Sequence, residues 1–198
     1  MLERLASAVA MALLLWGLAA PGAHAQPVAA EVTQLTLERT DEGVLLSATL
    51  RFDLPPAIDD ALAKGIPMFF VAEAALYRDR WYWADKRVAA AQRHLRLAFQ
   101  PLTRRWRLQV SATPVGNSGV ALGQTFDTRE EALAAVQRIS RWRIADAGDV
   151  EPEAGHSVEF RFRLDITQLP RPLQIGAVGQ SEWTITASRN QRLLLDAR

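Results

Sequence analysis

The chain contains no cysteine, which excludes disulfides, iron–sulfur clusters, thiolate zinc sites and cysteine nucleophiles. It carries almost no charge excess. Its 23 Lys and Arg face 22 Asp and Glu, a formal net charge of +1, and this excludes the polyanion-binding footprint of a strongly basic domain. Lysine is nearly missing: only Lys64 and Lys86 interrupt a basic complement that is otherwise arginine, a coding bias toward GC-rich DNA. What the chain does have is ordinary apolar content, 49% of 198 residues. That rules out wholesale disorder and suits one domain.

The N-terminus has the order of a secretory leader. Met1-Leu2-Glu3-Arg4 precedes an uncharged stretch from Leu5 to Ala20, Pro21-Gly22 breaks any helix, and Ala23-His24-Ala25 offers small residues at −3 and −1 before Gln26. The apolar stretch is shorter than the ~20 residues a membrane-spanning helix needs. We therefore expect a cleaved signal peptide over 1–25, no transmembrane span after cleavage, and a single β-rich domain over 26–198 with a frayed C-terminal tail. An exported, cysteine-free chain of this kind fits a bacterial periplasm.

Alternation of apolar and polar residues dominates the remainder. Residues 31–54 read as a hairpin around Asp41-Glu42-Gly43. Pro55-Pro56 open a short helix carrying Ile58, Ala61 and Leu62, and Gly65 with Pro67 closes it. Met68 to Tyr77 is a long apolar strand broken only by Glu73, as expected of a central strand covered on both faces. Arg93 to Phe99 and Trp106 to Val110 alternate on either side of Pro101-Leu102-Thr103-Arg104 and make a second hairpin. Thr113 to Gly123 reads as a loop. Thr128 followed by Glu131 fits a capping box, and Ala132, Val136 and Ile139 predict an amphipathic helix over 128–141. An acidic loop at 148–155 leads into the strand His156–Ile166, with Val158, Phe160, Phe162 and Leu164 inward and Glu159, Arg161, Arg163 and Asp165 outward. Trp183 to Ala187 is the last strand. The expected fold is mainly β, an antiparallel sandwich-like domain of about seven strands with two short helices, α+β being the alternative.

No catalytic motif emerges, and the reading is of a non-enzymatic protein without cofactor or metal. His94 and His156 lie far apart on strands, without the helical spacing of a zinc site; His94 reads as an ordinary surface residue. Gly116-Asn117-Ser118-Gly119 lacks the spacing of a nucleophile elbow. No phosphate-binding glycine loop is present. Asp59-Asp60 and Glu130-Glu131 fall in first helical turns, where they complement the helix dipole. Arg51, Arg96, Arg107, Arg161 and Arg163 form either a basic patch or cross-strand pairs with Glu73, Glu159 and Asp165.

The candidate surface is Tyr77, Arg80, Trp81, Tyr82 and Trp83, at the end of the long buried strand. In extended chain Trp81 and Trp83 share a face and Tyr82 points the other way. The cluster either plugs the end of the core or presents aromatics to a protein or a glycan.

Several ordered strings carry a resemblance: Ala61-Leu62-Ala63-Lys64-Gly65-Ile66-Pro67, Arg80-Trp81-Tyr82-Trp83, Pro101-Leu102-Thr103-Arg104-Arg105-Trp106-Arg107, Trp142-Arg143-Ile144-Ala145-Asp146 and Leu164 through Leu173. Together they resemble the proteobacterial exported family of domain of unknown function 4390, from about residue 30 to about residue 188. The resemblance implies an exported single domain and carries no catalytic residue with it. It also implies signalling: such genes often lie beside a membrane sensor histidine kinase, which makes that kinase a candidate partner. The reading is a periplasmic protein-binding domain, with a glycan or envelope-ligand module as alternative. Within these strings Asp165 is placed to accept backbone N–H bonds at the Leu-Pro-x-Pro corner.

Overall fold

The computed structural model describes residues 30–82, 84–114, 123–151, 154–177 and 181–194. The proposed leader, Trp83 and most of the 113–123 loop lie outside the described residues. Among the described residues there are nine strands: β1 (Glu31–Thr40), β2 (Gly43–Arg51), β3 (Met68–Arg78), β4 (Lys86–Gln100), β5 (Arg105–Ser111), β6 (Gly123–Phe126), β7 (Arg138–Asp146), β8 (His156–Leu164) and β9 (Thr186–Leu193). The same residues include three α-helices: α1 (Pro56–Ala63), α2 (Arg129–Val136) and α3 (Arg171–Ala177). The strands form two antiparallel sheets, a three-stranded one ordered β1-β2-β7 and a six-stranded one ordered β6-β5-β4-β3-β8-β9. The sandwich-like, mainly β architecture follows, with two more strands and one more helix than expected.

Local chemistry explains most elements. At the β1–β2 turn Gly43 takes φ +134° and sits against β7, where a Cβ would lie 2.0 Å from the Ala145 carbonyl oxygen. Only glycine satisfies both conditions. Helix α1 buries Ile58, Ala61 and Leu62 and ends where Gly65 adopts φ +81° and donates to the Leu62 carbonyl. β3 lies between β4 and β8; its residues from Met68 to Ala72 are all buried, while Glu73, Ala75 and Tyr77 farther on are only half-buried. Between the sheets, Phe52, Phe70 and Phe162 form a triangle with ring centroids 5.5 to 6.0 Å apart. Phe160 is equally buried beside them.

The region after Thr128 corrects the expected helix. The Thr128 hydroxyl caps α2 by accepting from the Glu131 N–H at 3.2 Å, but the helix stops at Val136. There Gln137 is held to β2: its side-chain amide donates to the Phe52 carbonyl at 2.7 Å, and its own carbonyl accepts from the Leu50 N–H at 2.8 Å. The chain then continues along β2 as β7. Arg141, at φ +41° and opposite an irregularity in the β2 register, displaces the alternation by one residue, so Ile139 and Trp142 both face inward. A separation of three residues is also helical, and this is why the sequence pattern runs on as helix.

Other boundaries move too. β4 begins at Lys86 and runs 15 residues, its added first half pairing with β3. Pro170 initiates α3, accepting from the Leu173 and Gln174 N–H groups, so the Leu-Pro-x-Pro corner leads into a helix before the last strand. Asp165 holds that corner as expected: its carboxylate accepts from the Thr167 backbone and hydroxyl and from the Gln168 amide. Trp183 sits buried in a 3-10 turn, and the last strand starts at Thr186 and runs to Leu193, into the tail expected to fray.

Candidate functional site

The turn between β3 and β4 carries the predicted aromatic cluster. Two long strands deliver it, and its base is tied down at several points. The Asp79 N–H donates to the Gly155 carbonyl at 2.9 Å, Arg78 pairs with Glu151, Asp79 faces Arg192 at 3.8 Å, and the Arg80 N–H donates to Asp85 at 3.3 Å. Above that base Trp81 is 92% exposed and Tyr82 66% exposed. Their rings meet edge to face, with centroids 4.6 Å apart. Neither plugs the core. The segment bends instead of extending, so Trp81 and Tyr82 lie together where an extended chain would separate them. Arg80, Trp81 and Tyr82 line a shallow cleft of about 670 Å³ together with Arg78, Asp79 and Glu151. Tyr77 is not part of it: half-buried on β3, its hydroxyl donates to Glu159 at 3.5 Å. Trp83 lies outside the described residues.

The arginines of the strand faces are mostly paired. Arg51 bonds Glu31 at 2.8 Å, Arg161 bonds Glu159 at 2.9 Å, and Arg163 lies 3.5 Å from Glu73 and 3.7 Å from Asp165. Arg96 donates to Gln109 at 2.9 Å; burial lowers its pKa, and the Arg107 charge lowers it further. The proposed basic patch is thereby divided: acids balance Arg51 on the small sheet and Arg161 and Arg163 on the large one, whereas Arg96 meets only the neutral Gln109 amide.

His94 is not a surface residue. It is buried on β4 between Val71 and Ser111, and its Nδ1 has no hydrogen-bond partner. Burial pushes its pKa down, with Asp165 and Glu73 pulling up and Arg163 down. His156 is buried as well, its Nδ1 2.9 Å from the Ala154 carbonyl. Among the described residues no group of three or more His, Asp or Glu could hold a metal ion.

A second concavity went unread in the sequence. It measures about 910 Å³ and runs between the inner face of β4, β5 and β6 and the wall made by α2 and the start of β7. Leu95, Leu108 and Ile139 are buried at its floor, while Val110, expected inward and covered, is 41% exposed within it. Its lining comes from five separate elements, each of which reads locally as core or helix face.

The family model described as Domain of unknown function (DUF4390) matches residues 28–192. No curated protein and no solved structure matches the chain.

Proposed function

The chain belongs to the family of domain of unknown function 4390, and from that premise we propose that it is a non-enzymatic periplasmic domain that docks a protein partner of the cell envelope through Arg80, Trp81 and Tyr82. The exposure of Trp81 carries the reading. An indole left in water forgoes roughly 4–6 kcal/mol of area-scaled stabilisation, and Trp, Tyr and Arg are the residue types that dominate interface energetics. Here all three stand together on a turn anchored by ion pairs and backbone bonds. The ring also has the wrong setting for a sugar platform. A pyranose stacks on a flat aromatic platform, whereas Trp81 and Tyr82 meet at 75° between their rings and offer no coplanar surface. A ring in that state suits insertion into a pocket of a partner. The leader-like N-terminus supports export, and the extracytoplasmic part of a membrane sensor kinase is the partner class put first. Among the described residues no helix is long and apolar enough to cross a membrane.

The test replaces Trp81 and Tyr82 singly with Ala and measures melting temperature and retention of envelope proteins and glycans on the same samples. The expected result is one envelope protein, identified by mass spectrometry, that Trp81→Ala loses at unchanged melting temperature. If every loss of retention tracks a loss of stability, the cluster is structural. Loss of glycan alone would turn the assignment to the sugar-binding alternative.

A further inference from the structure

The sandwich is closed on one side and open on the other. On the closed side β1 faces β9, and the Arg189 guanidinium bridges them by donating to the Val32 and Thr33 carbonyls at 3.0 and 3.2 Å. On the open side, among the described residues, β7 ends the small sheet and β6 ends the large one without pairing to each other, and α2 lies across β5 and β6 instead. The 910 Å³ groove occupies that gap, within the roughly 300–1,000 Å³ range of small-molecule sites.

Its charge has a sign. The ionisable lining consists of Arg93 from β4, Arg138 from β7 and Glu131 from α2. Among the described residues neither arginine has a carboxylate within ion-pair distance. Arg93 is the telling one. Half-buried, its guanidinium carbon stands 5.1 Å from the centroid of the Trp142 ring. Burial lowers its pKa, and no acid opposes the shift. A partly desolvated cation without a counter-ion is costly, and an incoming anion would offset the cost through charge-assisted hydrogen bonds. Beside it runs an apolar track of Leu95, Leu108, Val110 and Phe126.

We propose that this groove binds a single-chain amphiphile with an anionic head, the head at Arg93 and the alkyl chain along Leu95, Leu108, Val110 and Phe126. The chain replaces water over exposed Val110, and the head neutralises a guanidinium that lies over the Trp142 ring without a carboxylate. This site is independent of the aromatic turn and stands or falls separately.

Isothermal titration calorimetry on the full chain tests it, with twelve-carbon probes below their micelle concentrations. Laurate and dodecyl phosphate are the two anionic arms; dodecyltrimethylammonium and dodecyl maltoside carry the wrong head. The expected result is one-to-one binding of at least one anion and no saturable binding of the other two. Laurate alone identifies a carboxylate head, dodecyl phosphate alone a phosphate head, and both together a requirement for negative charge only. Arg93→Gln should weaken binding at least tenfold, and Arg93→Lys should retain part of it. Ala134→Trp, on an exposed groove-lining position of α2, should abolish binding at unchanged melting temperature, which keeps the test valid if position 93 disturbs folding. Binding of neither anion, equal affinity for the cationic or neutral probe, or wild-type affinity in Arg93→Gln and Ala134→Trp would each overturn the proposal.

Discussion

Replacing Phe162 with alanine probes the central packing decision of this molecule, the direction in which β8 faces. Phe162 is fully buried, stacked on Phe70 at 5.5 Å with 15° between the rings, and 5.6 Å from Phe52. Truncation removes the transfer energy of the ring and leaves a cavity between two sheets that cannot collapse freely. Such changes cost about 3–5 kcal/mol. Aromatic pairs add about 0.5–1.5 kcal/mol beyond area, which puts Phe162 toward the upper end. Phe160, equally buried but without a ring contact among the described residues, sits lower. Arg161 lies between them on the same strand and points outward, bonded to Glu159 at 2.9 Å on an exposed face; its replacement by alanine costs about 0.5 kcal/mol. For a chain of this length a loss of ~4 kcal/mol lowers the melting temperature by about 8–16 °C, against about 1–2 °C for Arg161→Ala. Urea unfolding followed by tryptophan fluorescence measures the difference, the midpoint shifting at constant slope. Equal shifts at Arg161 and Phe162 would refute the face assignment and the sandwich built on it.

Three further outcomes follow from particular contacts. Gly43→Ala forces a Cβ into the Ala145 carbonyl at a positive φ and should destabilise by more than about 1 kcal/mol in the same urea assay. Burial by itself would raise the Asp165 pKa, but hydrogen bonds from Gln168 and Thr167 and the Arg163 charge hold it below the usual carboxylate value. Its contribution is therefore full above the unfolded value of about 3.9 and is lost as pH falls through the lower folded value, so Asp165→Asn should lose less stability than the wild type across that acid window. Intact mass of the protein from the periplasmic fraction should correspond to a start at Gln26 or its cyclised form; recovery of the full-length chain in membranes alone would identify an anchor instead.

The aromatic turn was legible as a group and illegible as a surface. Arg80, Trp81 and Tyr82 stand out by type and adjacency. Whether such rings are inside or outside depends on what packs against the turn, and the groups that hold its base, Glu151 and the Gly155 carbonyl, come from far along the chain. Tyr77 left the group because β8 brings Glu159 within reach of its hydroxyl. The groove was invisible for the same reason on a larger scale, since β4, β5, β6, α2 and β7 each contribute two or three residues.

What the sequence by itself determined were the features set by a residue and its near neighbours: the glycine turn at Gly43, the Pro-to-Gly limits of α1, the Thr128 cap, the Asp165 corner and the two faces of β8. These rest on allowed φ values, on short side chains reaching backbone N–H groups, and on a side-chain period of two. Tertiary structure alone decided the rest. β7 exists as a strand because β2, far earlier in the chain, offers it a ladder from Thr49 to Gly43 and pins Gln137 at the point of entry. The bulge at Arg141 then gives Ile139 and Trp142 a helical separation on a strand. His94 is buried, and Trp81 and Val110 are exposed, because burial is a property of what lies nearby in space, and their spatial neighbours come from β3, β5, β7 and the loop before β8.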